Sequence, residues 1–208
     1  MTTTAPLPAR VPQPQRAAAM RGRLLEATVE VLVERGWSGT TTTVVSTRAG
    51  VSRGAQLHHF PSKRELVVAA VDHLGERLHH QLQQLRIEAP TGQGSTVAAL
   101  TTLADFFVSD LFVAALELWV AARTDPELLE SVAPMERRWG RRAHRLAVEL
   151  LGVDDEDPQT RLLIQGLLDM LRGLGLANTL SDDGPRRAVI LQRWAPLIDQ
   201  HARRKARS

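Results

Sequence analysis

Residues 40–66 read TTTTVVSTRAGVSRGAQLHHFPSKREL, and this stretch decides the fold. A short helix is expected over about residues 41–49, with Val45 and Ala49 on one face. Gly50 is free to take the left-handed backbone that ends it. Ser52 suits the N-cap of a second short helix, about residues 53–59, because its hydroxyl can take up an otherwise unpaired backbone N–H. Pro61 has no N–H to donate and forbids continuation. Ser62-Lys63-Arg64-Glu65 then forms a capping box that opens a longer helix running toward Ile87. Two short helices joined through Ala49-Gly50-Val51-Ser52 have the length and turn chemistry of a helix-turn-helix. Taken alone the signal is weak, since any helical hairpin can supply a glycine turn.

Working outward, a helical pattern starts at Arg21, with Leu24, Ala27, Thr28, Val31 and Leu32 at three- and four-residue spacing. Glu34-Arg35-Gly36 closes it, and Trp37 follows as a large apolar anchor. Residues 1–18, rich in Thr and Pro without an apolar period, read as a disordered arm. Downstream, residues 91–95 form a Gly-containing loop, and helical pattern resumes to about Thr124 with a break near Ser109. Asp125-Pro126 and Asp157-Pro158 each pair an N-cap with proline at the first helical position, opening segments that reach about Leu151 and Leu180. A last helix over about residues 184–201 carries Pro196 and should bend or stop near it. No strand alternation and no repeat is visible, so the class is all-α. The expected organisation is an arm (1–18), a three-helix helix-turn-helix domain (19–65) and a larger helical domain (66–208).

Composition narrows the function. The chain has 208 residues, 43% of them hydrophobic, which suffices for a sizeable core. Without cysteine there is no disulfide framework, thiolate metal site or cysteine nucleophile. No apolar run approaches the roughly 18–20 residues of a membrane-spanning helix, so no membrane partner is expected and a cytoplasmic location fits. Net charge is only +3, but it is unevenly placed. Residues 1–75 hold nine Lys/Arg against five Asp/Glu, whereas residues 76–208 hold seventeen against eighteen. The basic excess lies in the N-terminal third, where a phosphate backbone could be met.

The surroundings of the turn add weight. Thr40 to Thr43 gather at one helix N-terminus, Ser62 and Lys63 at another, and Arg53, His58 and His59 lie on the short helix between. Hydroxyls and free N–H groups at helix N-termini are natural phosphate ligands. Over residues 24–66, without a gap, the chain resembles the tetracycline-repressor (TetR) family. Leu24-Leu25-Glu26-Ala27, Glu34-Arg35-Gly36-Trp37 and Thr40-Thr41 are similar to its opening. Ala49-Gly50-Val51-Ser52-Arg53-Gly54-Ala55 is similar to its turn and recognition helix, and His59-Phe60-Pro61-Ser62-Lys63 with Glu65-Leu66 to its close. The resemblance implies phosphate contacts from Thr41, Thr42, Ser52, His59 and Lys63. Base-edge contacts would come from Thr43, Arg53, Ala55 and His58, with Gln56 in the same DNA-binding set. An arginine such as Arg53 suits a guanine, whose O6 and N7 accept its fork.

One departure matters. Where the family usually has a tyrosine two residues before His59, this chain has Leu57, and the preceding position, usually apolar, is Gln56. Burying a leucine favours folding by about 1.5–3 kcal/mol, while a buried amide without partners costs about 1–3 kcal/mol. The expectation from these nearly equal terms is that Leu57 leans inward and is the more buried of the two.

Asp72, Glu76 and His79 or His80 fall near one face of the fourth helix at spacings a metal could use. Adjacent histidines point about 100° apart on a helix, so the favoured reading is a polar face with no metal. No cofactor is expected. No nucleophile elbow, phosphate-cradling glycine loop or HExxH pair is present, which argues against an enzyme.

In the C-terminal two-thirds, residues 111–122 contain eleven apolar residues and one charge, Glu117. A helix apolar nearly all round belongs in a core or lines a cavity, and both readings stand. If a cavity, its candidate lining is Phe106, Phe107, Trp119 and Trp139, with Glu117 or Arg123 holding a polar group. Arg161, Gln165, Asp169 and Arg172 form one narrow polar stripe, and with Val189, Ile190, Trp194, Leu197 and Ile198 this could build a four-helix dimer interface. The resemblance implies a cytoplasmic homodimeric repressor that binds a two-fold symmetric double-stranded DNA operator and is released by a small-molecule effector. A regulator without an effector and, distantly, a helical enzyme are the alternatives.

Overall fold

The computed structural model describes residues 13–87 and 95–205, with side chains over 13–80 and 95–200, and every regular element among them is a helix. In chain order these are α1 (Gln13–Gly39), α2 (Thr42–Ala49), α3 (Arg53–His59), α4 (Lys63–Ile87), α5 (Ser95–Phe106), α6 (Asp110–Ala122), α7 (Pro126–Leu151), α8 (Pro158–Asn178) and α9 (Gly184–Lys205). The all-α class is as the sequence implied. The chain divides into two compact units between Ala70 and Val71, within α4.

In the first unit, Leu24, Leu25 and Val31 of α1 pack with Val45 of α2, Phe60 after α3, and Leu66 and Ala70 of α4. Fully burying each such leucine favours folding by about 1.5–3 kcal/mol, so this small cluster holds the two short helices α2 and α3 between α1 and α4. Helix α1 already begins at Gln13, so residues 13–18 are helical rather than part of an arm. The remainder of the arm and most of the expected 91–95 loop lie outside the described residues. Gly36 breaks α1 with φ 66°, a left-handed value that side chains resist, and one more turn follows to Gly39.

In the second unit, Leu100 and Leu103 of α5, Phe112 of α6, Leu146 and Leu151 of α7, Ile164, Leu167 and Leu171 of α8, and Leu191 and Ile198 of α9 share one core. Asp125 and Asp157 cap α7 and α8 by accepting from Leu128 N (3.0 Å) and Thr160 N (2.9 Å). Gly175 of α8 lies so close to the turn after α5 that a Cβ there would stand 2.2 Å from the Phe107 carbonyl oxygen. Helix α9 does not stop at Pro196 but runs on to Lys205. Gln192 and Pro196 are both exposed, so the carbonyl that proline leaves without a helical partner can be hydrated. Buried Leu191, Ala195 and Ile198 hold the helix on both sides of it.

No single described helix is long and apolar enough to cross a membrane; α5 and α6 together have the composition, but they are bent by 50° at their break.

Candidate nucleic-acid interface and inner cavity

Short-range caps place α2 and α3. The Thr41 hydroxyl accepts from Val44 N at 3.2 Å, and Gly50 takes the left-handed conformation (φ 64°, ψ 38°) that ends α2. Val51 N then donates to the Ser46 carbonyl at 3.0 Å, closing the turn. The Ser52 hydroxyl accepts from Ala55 N at 3.2 Å and starts α3. Arg48, at the end of α2, reaches back to α1 and pairs with Glu30 (3.2 Å) and Glu34 (2.7 Å). The guanidinium hydrogen bond holds the Glu34 carboxyl below its usual range. Arg48 is thereby a strut between α1 and α2, leaving Arg53 as the arginine of α3.

On and around α3, Thr41, Thr43, Ser52, Arg53 and His58 are exposed, while Thr42, Ala55, His59 and Lys63 are half-buried. Lys63 Nζ donates to the Trp37 carbonyl and lies 4.0 Å from the centroid of the Trp37 ring. It therefore caps the end of α1 while burial lowers its pKa.

Gln56 and Leu57 overturn the expectation from the sequence. Gln56 is fully buried at 0% exposure, and Leu57 is 41% exposed. The physical reason is a partner that sequence did not reveal. Gln56 Nε2 donates to the Phe60 carbonyl at 2.7 Å, and Phe60 N donates to the Gln56 carbonyl at 2.8 Å. Phe60 precedes a proline, so the chain leaves the helix there, and the amide meets the carbonyl that is left over. With its donor satisfied, Gln56 loses most of the burial penalty, although its Oε1 stays buried and unpaired. Gln56 is thus withdrawn from the set of DNA-facing residues, and Leu57 stands in the open in its place.

The acidic face of α4 is also occupied. Asp72 accepts from Arg138 and from Trp139 Nε1 (3.1 Å), and Glu76 from Arg142 (2.7 Å). No metal-competent cluster is present among the described residues.

The second unit contains a mostly apolar pocket that opens to solvent, about 520 Å³ with the open solvent at its mouth included. Of the six residues expected there, Phe106, Phe107, Trp119 and Trp139 line it, and Glu117 and Arg123 do not. On α6 the lining positions are Leu111, Phe112, Ala115 and Trp119, one face at three- and four-residue spacing. Glu117 stands about 200° around the helix from Trp119, and Arg123 is exposed past its end. The charged groups at the cavity are instead Glu136 of α7 and Arg172 of α8. Burial pushes the Glu136 carboxyl above its ordinary range, with the Arg172 charge and the Trp119 N–H pulling it back. The Trp119 indole N–H is itself buried and makes no hydrogen bond of normal length. Phe107, Phe112 and Trp119 meet edge to face, with centroids 5.7 and 5.9 Å apart.

Residues 24–70 match the family model of bacterial regulatory proteins of the tetR family. Over 187 residues the chain is 32% identical to the HTH-type transcriptional regulator CymR of Pseudomonas putida, covering 86% of this chain and 89% of that protein. The chain belongs to the tetR family. It is a DNA-binding transcriptional regulator and not an enzyme.

Solved tetR-like folds agree along most of this regulator's length. A transcriptional regulator from Rhodococcus sp. Rha1 aligns with a TM-score of 0.64 at 24% identity, covering 86% of this chain and 96% of its own. FadR from Bacillus subtilis, solved in complex with stearoyl-CoA, aligns with a TM-score of 0.58 at 14% identity, covering 85% and 96%. At these identities the likeness speaks for the fold. Within this tetR-family chain, sequence reasoning missed Glu136 and Arg172 as cavity residues. A faint signal existed for the first: Glu136, Gly140 and Ala143 recur at helical spacing beside Met135 and Trp139, and all five line the cavity.

Proposed function

We propose that this regulator is a ligand-responsive repressor, in which a homodimer binds a two-fold symmetric operator through α3 of each protomer. A small molecule in the cavity of the second unit releases it. The observation that carries the DNA reading is α3 itself, a capped seven-residue helix that leaves Arg53, Leu57 and His58 exposed. Arg53 reads a base edge, helped by Thr43, Ala55 and His58, while Thr41, Thr42, Ser52, His59 and Lys63 meet phosphates.

Dimerisation is supported by the exposed apolar residues of α8 and α9. Leu162 (67%), Leu176 (50%) and Val189 (57%) stand open. A Cβ at Gly166 or Gly173 would meet nothing within 4 Å. Apolar side chains beside small residues suit close helix packing against a second copy. The ligand reading is supported by the cavity and by FadR, a relative in fold that was solved with stearoyl-CoA. The absence of a long apolar helix among the described residues fits a cytoplasmic location.

The test is selection of an operator from random duplex DNA, followed by binding over a range of salt. Each neutralised phosphate should add about −0.9 to the slope of log affinity against log salt. The footprint should cover two half-sites. A single half-site would falsify the dimeric reading, and an affinity indifferent to salt would remove the phosphate contacts. A metabolite mixture should contain a compound that stays bound and releases the operator; if none does, the chain regulates without an effector.

A further inference from the structure

We propose that the cavity of the second unit receives an aromatic organic cation, with Glu136 as the counter-ion of its positive charge and Phe112 and Trp119 among the rings against its body. The inference rests on the ligand-responsive reading only for its consequence on DNA; binding in the cavity is a separate claim.

The charges of the cavity lining are unequal in what they have left to give. Arg172 Nη1 already sits 2.6 Å from Asp169 Oδ1, and its Cζ lies 5.8 Å from the centroid of the Trp119 ring. Its charge is matched by a carboxylate on the same helix. Glu136 forms no ion pair among the described residues, and only the Arg172 charge and the buried Trp119 N–H favour its ionised form. A carboxylate in an apolar wall either takes up a proton or draws in a cation, because burial without a partner penalises the charge.

The walls favour the same class of ligand. Aromatic faces attract a cation through the ring quadrupole, and the attraction grows where water is excluded. An aromatic anion would meet the Glu136 charge and could use Arg172 only by drawing it from Asp169. A neutral aromatic would gain the apolar contact alone. With Arg172 paired to Asp169 and Glu136 without an ion pair, the cavity carries one unmatched negative charge, and the charge that would neutralise it is positive.

Three probes of one shape test this by calorimetry on the full chain without DNA: naphthalen-1-ylmethylammonium, the neutral naphthalen-1-ylmethanol and the anion 1-naphthoate. The ammonium ion should bind tightest. Glu136→Gln should weaken it by about tenfold or more, the loss of one charge-assisted contact, and leave the neutral alcohol within about twofold. Arg172→Gln, which removes the competing positive charge, should leave ammonium binding equal or tighter. The proposal is overturned if 1-naphthoate binds best and loses affinity in Arg172→Gln, if Glu136→Gln binds the ammonium like wild type, or if wild type does not bind the ammonium at all. Operator release is read separately. Glu136-dependent binding without release supports this site and removes the ligand response, whereas release by the anion alone keeps the response and overturns the cation.

Discussion

The side-chain amide of Gln56 donates to the backbone carbonyl of Phe60 at 2.7 Å, and this bond fixes which face of α3 looks outward. It turns a polar residue into a core residue and leaves Leu57 on the surface. Gln56→Ala removes the amide and leaves a buried carbonyl without its partner. Chemical denaturation should report a loss of roughly 1–3 kcal/mol. Unchanged stability would mean that the amide does not hold the end of α3.

Because Leu57 is exposed, it can be exchanged with little effect on folding. Leu57→Tyr should place a hydroxyl at a phosphate and tighten operator binding at low salt by about 0.5–1.5 kcal/mol, the worth of one hydrogen bond. Stability should stay within about 0.5 kcal/mol of wild type, as for most surface substitutions. No gain in affinity would show that the hydroxyl cannot reach the backbone from this helix.

Arg53 and Lys63 should separate cleanly. Arg53 is an exposed group, so Arg53→Ala should spare stability, lose about 1–3 kcal/mol of operator affinity and relax preference at one base position. Lys63 donates to the Trp37 carbonyl and lies against the Trp37 ring. Lys63→Ala should therefore lower the melting temperature as well as weaken all DNA sequences alike, flattening the salt slope by about one unit. Thermal melts beside binding titrations decide it; equal, sequence-independent losses from both would remove Arg53 from base reading.

Burial holds the Glu136 carboxyl above its ordinary range despite Arg172 and the Trp119 N–H. The folded chain then keeps this proton more tightly than the unfolded chain does. Its contribution is fully present below the unfolded value, near 4.5, and is lost as pH rises through the raised folded value. Glu136→Gln should flatten that part of the stability profile and be the more stable protein at neutral pH. Denaturation midpoints measured across the acid range check this, and parallel profiles for the two proteins would contradict it.

Gly175 of α8 faces backbone, not a movable side chain. Its added Cβ would stand 2.2 Å from the Phe107 carbonyl oxygen. Gly175→Ala should therefore cost about 1–3 kcal/mol through overpacking, whatever alanine contributes to helix propensity. Gly173→Ala, two residues earlier, meets nothing within 4 Å and should not destabilise an isolated chain. Melting temperatures of the pair test the close approach.

The sequence by itself determined the helical class, the capped ends of α2, α3, α7 and α8, and the turn between α2 and α3. Thr41, Gly50, Ser52, Asp125 and Asp157 act within three or four residues of themselves, so their chemistry is written locally. Long hydrophobic periods likewise marked the cores, and the motif from Leu24 to Leu66 named the family. Tertiary structure decided the matters where two local terms nearly cancel or where the partner is remote. Gln56 and Leu57 differ by little in burial energy, and a carbonyl presented by Phe60 tipped the balance. Pro196 can interrupt a helix, yet packing on both sides carried α9 through it. Glu136 of α7 and Arg172 of α8 stand 36 residues apart in the chain (172 − 136), and only the packing of α6, α7 and α8 brings them to one cavity. Cap chemistry has a range of one turn, whereas burial is set by whatever the fold brings alongside.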